Sequence, residues 1–87
     1  MKYVVFYETA PDASAGLAEL FPAHRARWQS YREQGTLLAI GPFSDRSGAM
    51  GVFTTREAAQ EFAAGDPFVL SGVIRSWHIR EWHEALL

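Results

Sequence analysis

The predicted order of elements, βαββαβ, makes this chain an α+β protein of the ferredoxin-like class, with a four-stranded antiparallel sheet and two helices on one face. Three observations lead there. Four short segments are rich in β-branched and aromatic residues. Two stretches with helical periodicity separate the first segment from the second and the third from the fourth. The chain has 87 residues and contains no linker or repeat, so a single domain over 1–87 is expected.

The elements follow in order. Tyr3-Val4-Val5-Phe6-Tyr7 reads as the first strand. Pro11-Asp12-Ala13-Ser14 is turn chemistry, with Ser14 as the expected N-cap. A helical pattern runs to about Gln34 and ends at Gly35, a C′ glycine. Pro22 either kinks this helix or starts a second one. Leu17, Phe21, His24, Trp28 and Tyr31 form one face of it, with Arg25, Arg32 and Glu33 turned away. Thr36 to Phe43 is the second strand, stopped by Gly41-Pro42. Ser44 to Gly48 is a turn, and Ala49 to Thr54 the third strand. Thr54 followed by Glu57 has capping-box spacing for a second helix, which carries Ala58, Ala59, Phe62 and Ala63 and stops at Gly65. Asp66 to Leu70 is a turn or a single helical turn. Val73 to about His83 is the last strand.

Strand alternation adds a second inference. Val4 and Phe6 point to one face of the sheet, and Tyr3, Val5 and Tyr7 to the other. Leu37 and Ala39 likewise oppose Leu38 and Ile40. Both faces are then apolar, and two helices cover only one. A homodimer that packs sheet on sheet, with the open faces forming a shared barrel-like core, is the expected solution. Composition agrees: 48% of the chain is hydrophobic and 14% aromatic. A domain of this size buries only about 60–65% of its unfolded surface.

Charge and composition exclude several classes. The net charge is −2 and the two signs are mixed along the chain, so no footprint for nucleic acid or an anionic membrane is present. Cysteine is absent, which removes disulfides, thiolate nucleophiles and Cys-based metal sites. Met1 to Glu8 is too short for a secretory h-region, and no run reaches the roughly 18 apolar residues of a membrane span. A soluble cytoplasmic protein is expected. His78 and His83, five apart on a strand, point to opposite faces, and His24 comes from a helix, so no metal site is expected. Trp77, Trp82 and Arg75 resemble a base-stacking platform, but without a basic cluster the tryptophans are expected to be barrel and interface residues. Arg80 with Glu81 and Arg25 with Glu33 read as solvated surface charge. Ser44, Ser47, Ser71 and Ser76 fit turns or strands, not a nucleophile site.

Two ionisable residues sit at junctions. His24 lies among Phe21, Trp28 and Tyr31. It is either a packed histidine with one nitrogen satisfied or a general acid/base, since imidazole changes charge near neutral pH. Asp66 precedes Pro67 and follows Gly65, where the backbone can turn sharply. That makes it an N-cap with proline at N1, a role compatible with orienting an imidazole. Gly41-Pro42 ends a strand and leaves room for a ligand near the backbone. Phe43 and Phe68 are core residues or the walls of such a pocket.

The first strand, Pro22-Ala23-His24, the Leu37 to Pro42 strand and Gly65-Asp66-Pro67-Phe68-Val69, in this order and spacing, resemble the YCII-related (YciI-like) family over essentially the whole chain. The resemblance implies the dimeric α+β barrel fold and a His–Asp active-site pair, here His24 and Asp66. It leads to a small enzyme without metal or organic cofactor, a lyase or isomerase that acts on a small, partly apolar or aromatic metabolite. Trp28, Gly41, Pro42, Phe43 and Phe68 are the expected substrate-binding residues. The alternative is a non-catalytic dimer that binds a small molecule or serves a partner protein. Fold analogy adds a cofactor-independent oxygenase.

Overall fold

Lys2–Thr9 forms β1, whose Val4, Val5, Phe6 and Tyr7 favour extended backbone. The computed structural model describes residues 1–87. β1 runs through the middle of the sheet, antiparallel to β3 (Gly48–Phe53) on one side and to β4 (Ile74–Trp82) on the other. β2 (Leu37–Pro42) pairs with the far side of β3, so the order is β2-β3-β1-β4. α1 (Ser14–Glu33), α2 (Arg56–Gly65) and the single turn α3 (Pro67–Leu70) complete the chain. This is the ferredoxin-like α+β arrangement that the element order predicts, with α3 as an addition.

The core lies between the helices and one sheet face. Val5, Tyr7, Leu37, Phe53 and Ile74 meet Tyr31, Ala59, Phe62, Ala63 and Phe68 there. Phe62 is the hub, with its ring centroid 5.3 Å from Phe53 and 5.3 Å from Tyr31, the latter edge-on at 86°. Ala59 and Ala63, both fully buried, bring α2 close to the sheet. Gly48 performs a similar service between strands: a Cβ there would collide with the backbone oxygen of Tyr7. Gly48→Ala is expected to cost about 1–3 kcal/mol as β3 is pushed off β1, read as a lower midpoint in urea unfolding at unchanged slope.

Several local expectations need correction. Ser14 is the first helical residue, not the cap. Ala13 occupies the cap position with no side-chain hydrogen bond, because left-handed Asp12 (φ 57°) redirects the chain one residue earlier and buries the Ala13 methyl. α1 runs unbroken through Pro22. Proline costs it the bond to Ala18, but both residues are exposed, so water can take that carbonyl. The cap of α2 is Thr55, not Thr54. Its hydroxyl accepts from Ala58 N at 3.1 Å, which leaves Glu57 one residue short of a capping box. Phe43 and His83 lie just beyond β2 and β4. Glu81 pairs with Arg56 at 2.5 Å, not with Arg80.

The open face also differs in detail. Val4 opposes Val52, and Phe6 opposes Met50, on the side that carries no helix. Phe6 also opposes His78 and stacks on it at 5.3 Å and 18°. Arg80 and Trp82 continue that face. Trp77 alternates to the other side and packs against the helix-covered core, so it is no part of the open face. A register shift between Leu37 and Ala39 breaks the expected alternation in β2. Leu37 and Ile40 both pack against the core, and Leu38 is left exposed.

Candidate active site

The helical stripe of α1 stands over the sheet and leaves a cleft of about 790 Å³. Leu17, Phe21, His24 and Trp28 form one wall of it, and Val5, Tyr7, Ile40 and Phe53 belong to the sheet beneath. All seven residues singled out from the sequence are brought together around it. Trp28, Gly41, Pro42, Phe43 and Phe68 line it, and so does His24. Asp66 lies behind the lining, fully buried and bonded to His24. An added Cβ at Gly41 meets no atom within 4 Å, so the backbone there is open to approach.

The sequence builds this point locally. Asp66 adopts extended backbone (φ −66°, ψ 128°) ahead of Pro67, and its Oδ1 accepts from Phe68 N at 3.0 Å, capping α3. The single turn that follows swings Phe68 against His24, with ring centroids 4.0 Å apart and planes 14° from parallel. One residue therefore caps, and its neighbour stacks. His24 Nδ1 sits 3.0 Å from Oδ1 and 2.9 Å from Oδ2 of Asp66. A hydrogen on Nδ1 satisfies both oxygens, which leaves the lone pair on Nε2. Nε2 makes no hydrogen bond within the chain and is not sealed from solvent, so it faces the cleft.

Tyr7 completes the set, and the sequence reading missed it. Its hydroxyl donates to Asp66 Oδ2 at 2.6 Å. Burial first, then this bond and the Asp66 charge, push the Tyr7 hydroxyl far above its ordinary value of 10.0, against a smaller pull from Arg27. Tyr7 therefore stays protonated and acts as a donor. Asp66 collects donors from a tyrosine, an imidazole and a backbone amide, the environment of an orienting carboxylate. A tyrosine on an alternating strand reads as core, so only the register of β1 against α3 could have singled it out.

Arg27 was also missed. Its Nε donates to Phe62 O at 3.1 Å and its Nη2 to Glu61 O at 2.7 Å, tying α1 to the last turn of α2. Gly65 leaves room for this contact: a Cβ there would meet the guanidinium and displace Arg27 from the two carbonyls. Its backbone has no positive φ, so a sharp turn is not its role. Tyr31 joins the cluster by donating to Glu61 Oε1 at 2.5 Å. Burial and that bond push the Tyr31 hydroxyl up from 10.0 to about 12, with Arg27 opposing.

The two tyrosines set an alkaline limit. A phenol raised in the folded state contributes stability that is fully present below about pH 10 and is lost as pH rises through its folded value. For Tyr31 the loss runs from about pH 10 to about 12. Tyrosinate absorbance is expected to report neither Tyr7 nor Tyr31 below pH 11 while the chain is folded. Ionisation of either with native circular dichroism retained would contradict these contacts.

Comparison with known proteins places this geometry in context. Residues 1–83 match the sequence profile of the YCII-related domain. Protein YciI of Escherichia coli O6:H1 and that of Shigella flexneri are each 35% identical over 85 residues, covering 84% of this chain and 87% of those proteins. A solved structure of 5-chloro-2-hydroxyhydroquinone dehydrochlorinase from Burkholderia phenoliruptrix AC1100, in complex with 2,5-dihydroxybenzoquinone, is similar with a TM-score of 0.81. It is 16% identical, and the match covers 98% of this chain and 96% of that one. Rv0793 from Mycobacterium tuberculosis matches with a TM-score of 0.53 and 13% identity over 98% and 97%. Both structural likenesses are of fold alone, the α+β ferredoxin-like arrangement of a four-stranded antiparallel sheet with helices. No helix is long and apolar enough to cross a membrane.

Proposed function

The chain belongs to the YCII-related domain family, and from that membership we propose that it is a small-molecule enzyme of the lyase or isomerase class. The observation that carries this reading is the chain of contacts Tyr7–Asp66–His24, which ends in a free Nε2 at an apolar, aromatic cleft. Nε2 takes a proton from a carbon made acidic by a neighbouring carbonyl or enol. Asp66 stabilises the imidazolium that forms. The C–H electron pair becomes a new π bond. In elimination it expels a leaving group that departs with its own bonding pair. In isomerisation the imidazolium returns the proton to a different carbon. His24 and Asp66 supply this acid/base chemistry themselves, with no step through a metal or organic cofactor. The aromatic lining suits a small, partly apolar ring.

The dehydrochlorinase of like fold guides the choice of probe. Chlorinated hydroxyhydroquinones and simple α-protic ketones with a β-leaving group are the first compounds to incubate with the protein. Halide release and quinone absorbance report elimination, and deuterium exchange from solvent reports proton abstraction. Turnover or exchange at rates above buffer supports the reading. A compound that raises Tm but is recovered without exchange or conversion would identify a binding protein instead.

The same reading includes a homodimer. Phe6, Met50 and Trp82 keep apolar surface in water on a sheet face that no helix covers, around the already buried Val4 and Val52, and a second copy placed sheet on sheet removes that surface from water. Each protomer keeps its own cleft, because the cleft lies on the opposite, helix-covered side. Sedimentation at micromolar concentration is expected to give twice the 9.7 kDa chain mass. Phe6→Asp, a charge at a partly exposed position of that face, is expected to yield the single-chain mass with native circular dichroism retained.

A further inference from the structure

The geometry points to Arg46 as the residue that selects the substrate: it would hold an anionic group, a carboxylate, at the end of the cleft remote from His24. This inference deepens the proposed acid/base reading and rests on it for the identity of the site.

Two formally charged side chains, Asp12 and Arg46, belong to the cleft lining. Arg46 is its cation, and it is uncommitted. The other charged groups that form ion pairs find partners elsewhere, such as Arg56 with Glu81, Arg75 with Glu8 and Lys2 with Glu84. The Arg46 guanidinium enters neither an ion pair nor a hydrogen bond, and no bond joins it to Asp12. Its neighbour Asp45 is engaged as well. Asp45 Oδ1 accepts from Ser47 N at 3.0 Å and Ser47 Oγ at 2.7 Å, which together hold its carboxyl below the ordinary range.

The backbone adds an independent observation. Arg46 has φ 62°, the left-handed region that glycine or asparagine occupies at little cost. A bulky residue held there is strained. The turn is nevertheless firm: Arg46 N donates to Phe43 O at 3.0 Å, and Phe43 N to Gly48 O at 2.8 Å. Thr9 N donates to Ser47 O at 3.0 Å, which fastens this turn to the end of β1, beside the segment that enters α1. The turn thus holds the Arg46 backbone at the α1 N-terminal end of the cleft, with its side chain exposed and free to reach a ligand. The Asp12 carboxylate at the same end opposes an anion, so the preference rests on the Arg46 guanidinium and not on the helix terminus.

Distance sets the substrate class further. Ser14 to His24 spans ten residues of α1, about 15 Å of axis. One small molecule can address both ends only if its anionic group extends away from the carbon that loses the proton. The class is a ring with an acidic arm, in preference to a ring whose charge sits on the reacting centre.

The test is a titration of the full chain with benzoate, phenylacetate and 3-phenylpropanoate, each against its uncharged amide, followed by NMR shifts of His24 and Phe68. The acids are expected to bind at least about tenfold more tightly than the amides, with a preference for an arm-bearing acid. Arg46→Gln is expected to abolish the acid–amide difference and leave amide binding unchanged. Arg46→Gly relieves the backbone and is expected to raise Tm while also losing the preference, which separates charge from folding. Equal binding of acids and amides, persistence of the preference in Arg46→Gln, or failure of every acid to bind overturns the assignment. If the Arg46-dependent preference holds while no compound exchanges protons with solvent, the selectivity stands and the acid/base reading fails.

Discussion

His24→Ala is expected to lower turnover by about 10²- to 10⁴-fold, the contribution of a positioned general base, while the protein stays folded. The expectation rests on which partners the substitution removes. Nε2, the atom that faces the cleft, is lost outright. Asp66 keeps the Tyr7 hydroxyl at 2.6 Å and the Phe68 amide at 3.0 Å, so its charge is not stranded. Phe68 loses its stacking partner but remains packed in the core. The stability cost is therefore that of one hydrogen bond to a charged group and one ring contact, about 1.5–3 kcal/mol. The void opens onto the cleft, so added imidazole can enter it and is expected to restore part of the rate in a pH-dependent manner. Undiminished turnover in a folded His24→Ala protein removes histidine from the chemistry. Loss without imidazole rescue, accompanied by altered circular dichroism, would instead mark it as a packing residue.

His24 and Asp66 were readable because each carries a local signal. His24 occupies one position of an apolar stripe that otherwise holds Leu17, Phe21, Trp28 and Tyr31. Asp66 stands between a glycine and a proline, where a cap is needed. Their pairing was not readable from spacing alone. Forty-two positions separate them in the chain, and only the packing of α3 beneath α1 closes that gap. The family resemblance supplied it. Tyr7 was hidden for the opposite reason: on β1 its alternation accounts for it fully as a core residue, and a hydroxyl partner from a distant turn leaves no trace in strand period. Arg27 was hidden because an arginine on a helix is ordinarily solvated. Only its contact with two backbone carbonyls makes it structural. The overall arrangement was legible because it needs only the element order and two periods. The misplaced caps at Ser14 and Thr54 each failed by one residue, within the reach of backbone choices such as the left-handed Asp12.

The Asp66 substitutions separate structure from chemistry. Asp66→Ala is expected to destabilise the chain by about 3–5 kcal/mol, the range for removing one partner of a buried charged set. It strands the Tyr7 hydroxyl and the His24 Nδ1 hydrogen, and it removes the cap of α3. At about 4–8 °C per kcal/mol for a domain of this size, the fall in Tm is large. Asp66→Asn keeps the shape and retains one oxygen for capping. Its amide nitrogen, however, donates, and beside Nδ1 it favours a lone pair there, which moves the imidazole hydrogen to Nε2. The base is then turned inward and the cleft meets a donor. Turnover is expected to fall by about 10³- to 10⁴-fold, as when a histidine is held in the wrong tautomer, with Tm reduced far less than in Asp66→Ala. Imidazole ¹⁵N shifts read the tautomer directly: Nδ1–H in the native protein, Nε2–H in the variant. Tyr7→Phe is the control, since it removes one donor from Asp66 but leaves the tautomer unchanged. If Asp66→Asn keeps Nδ1–H together with full turnover, Asp66 acts only as the cap of α3, and the orientation of His24 must come from its stack on Phe68.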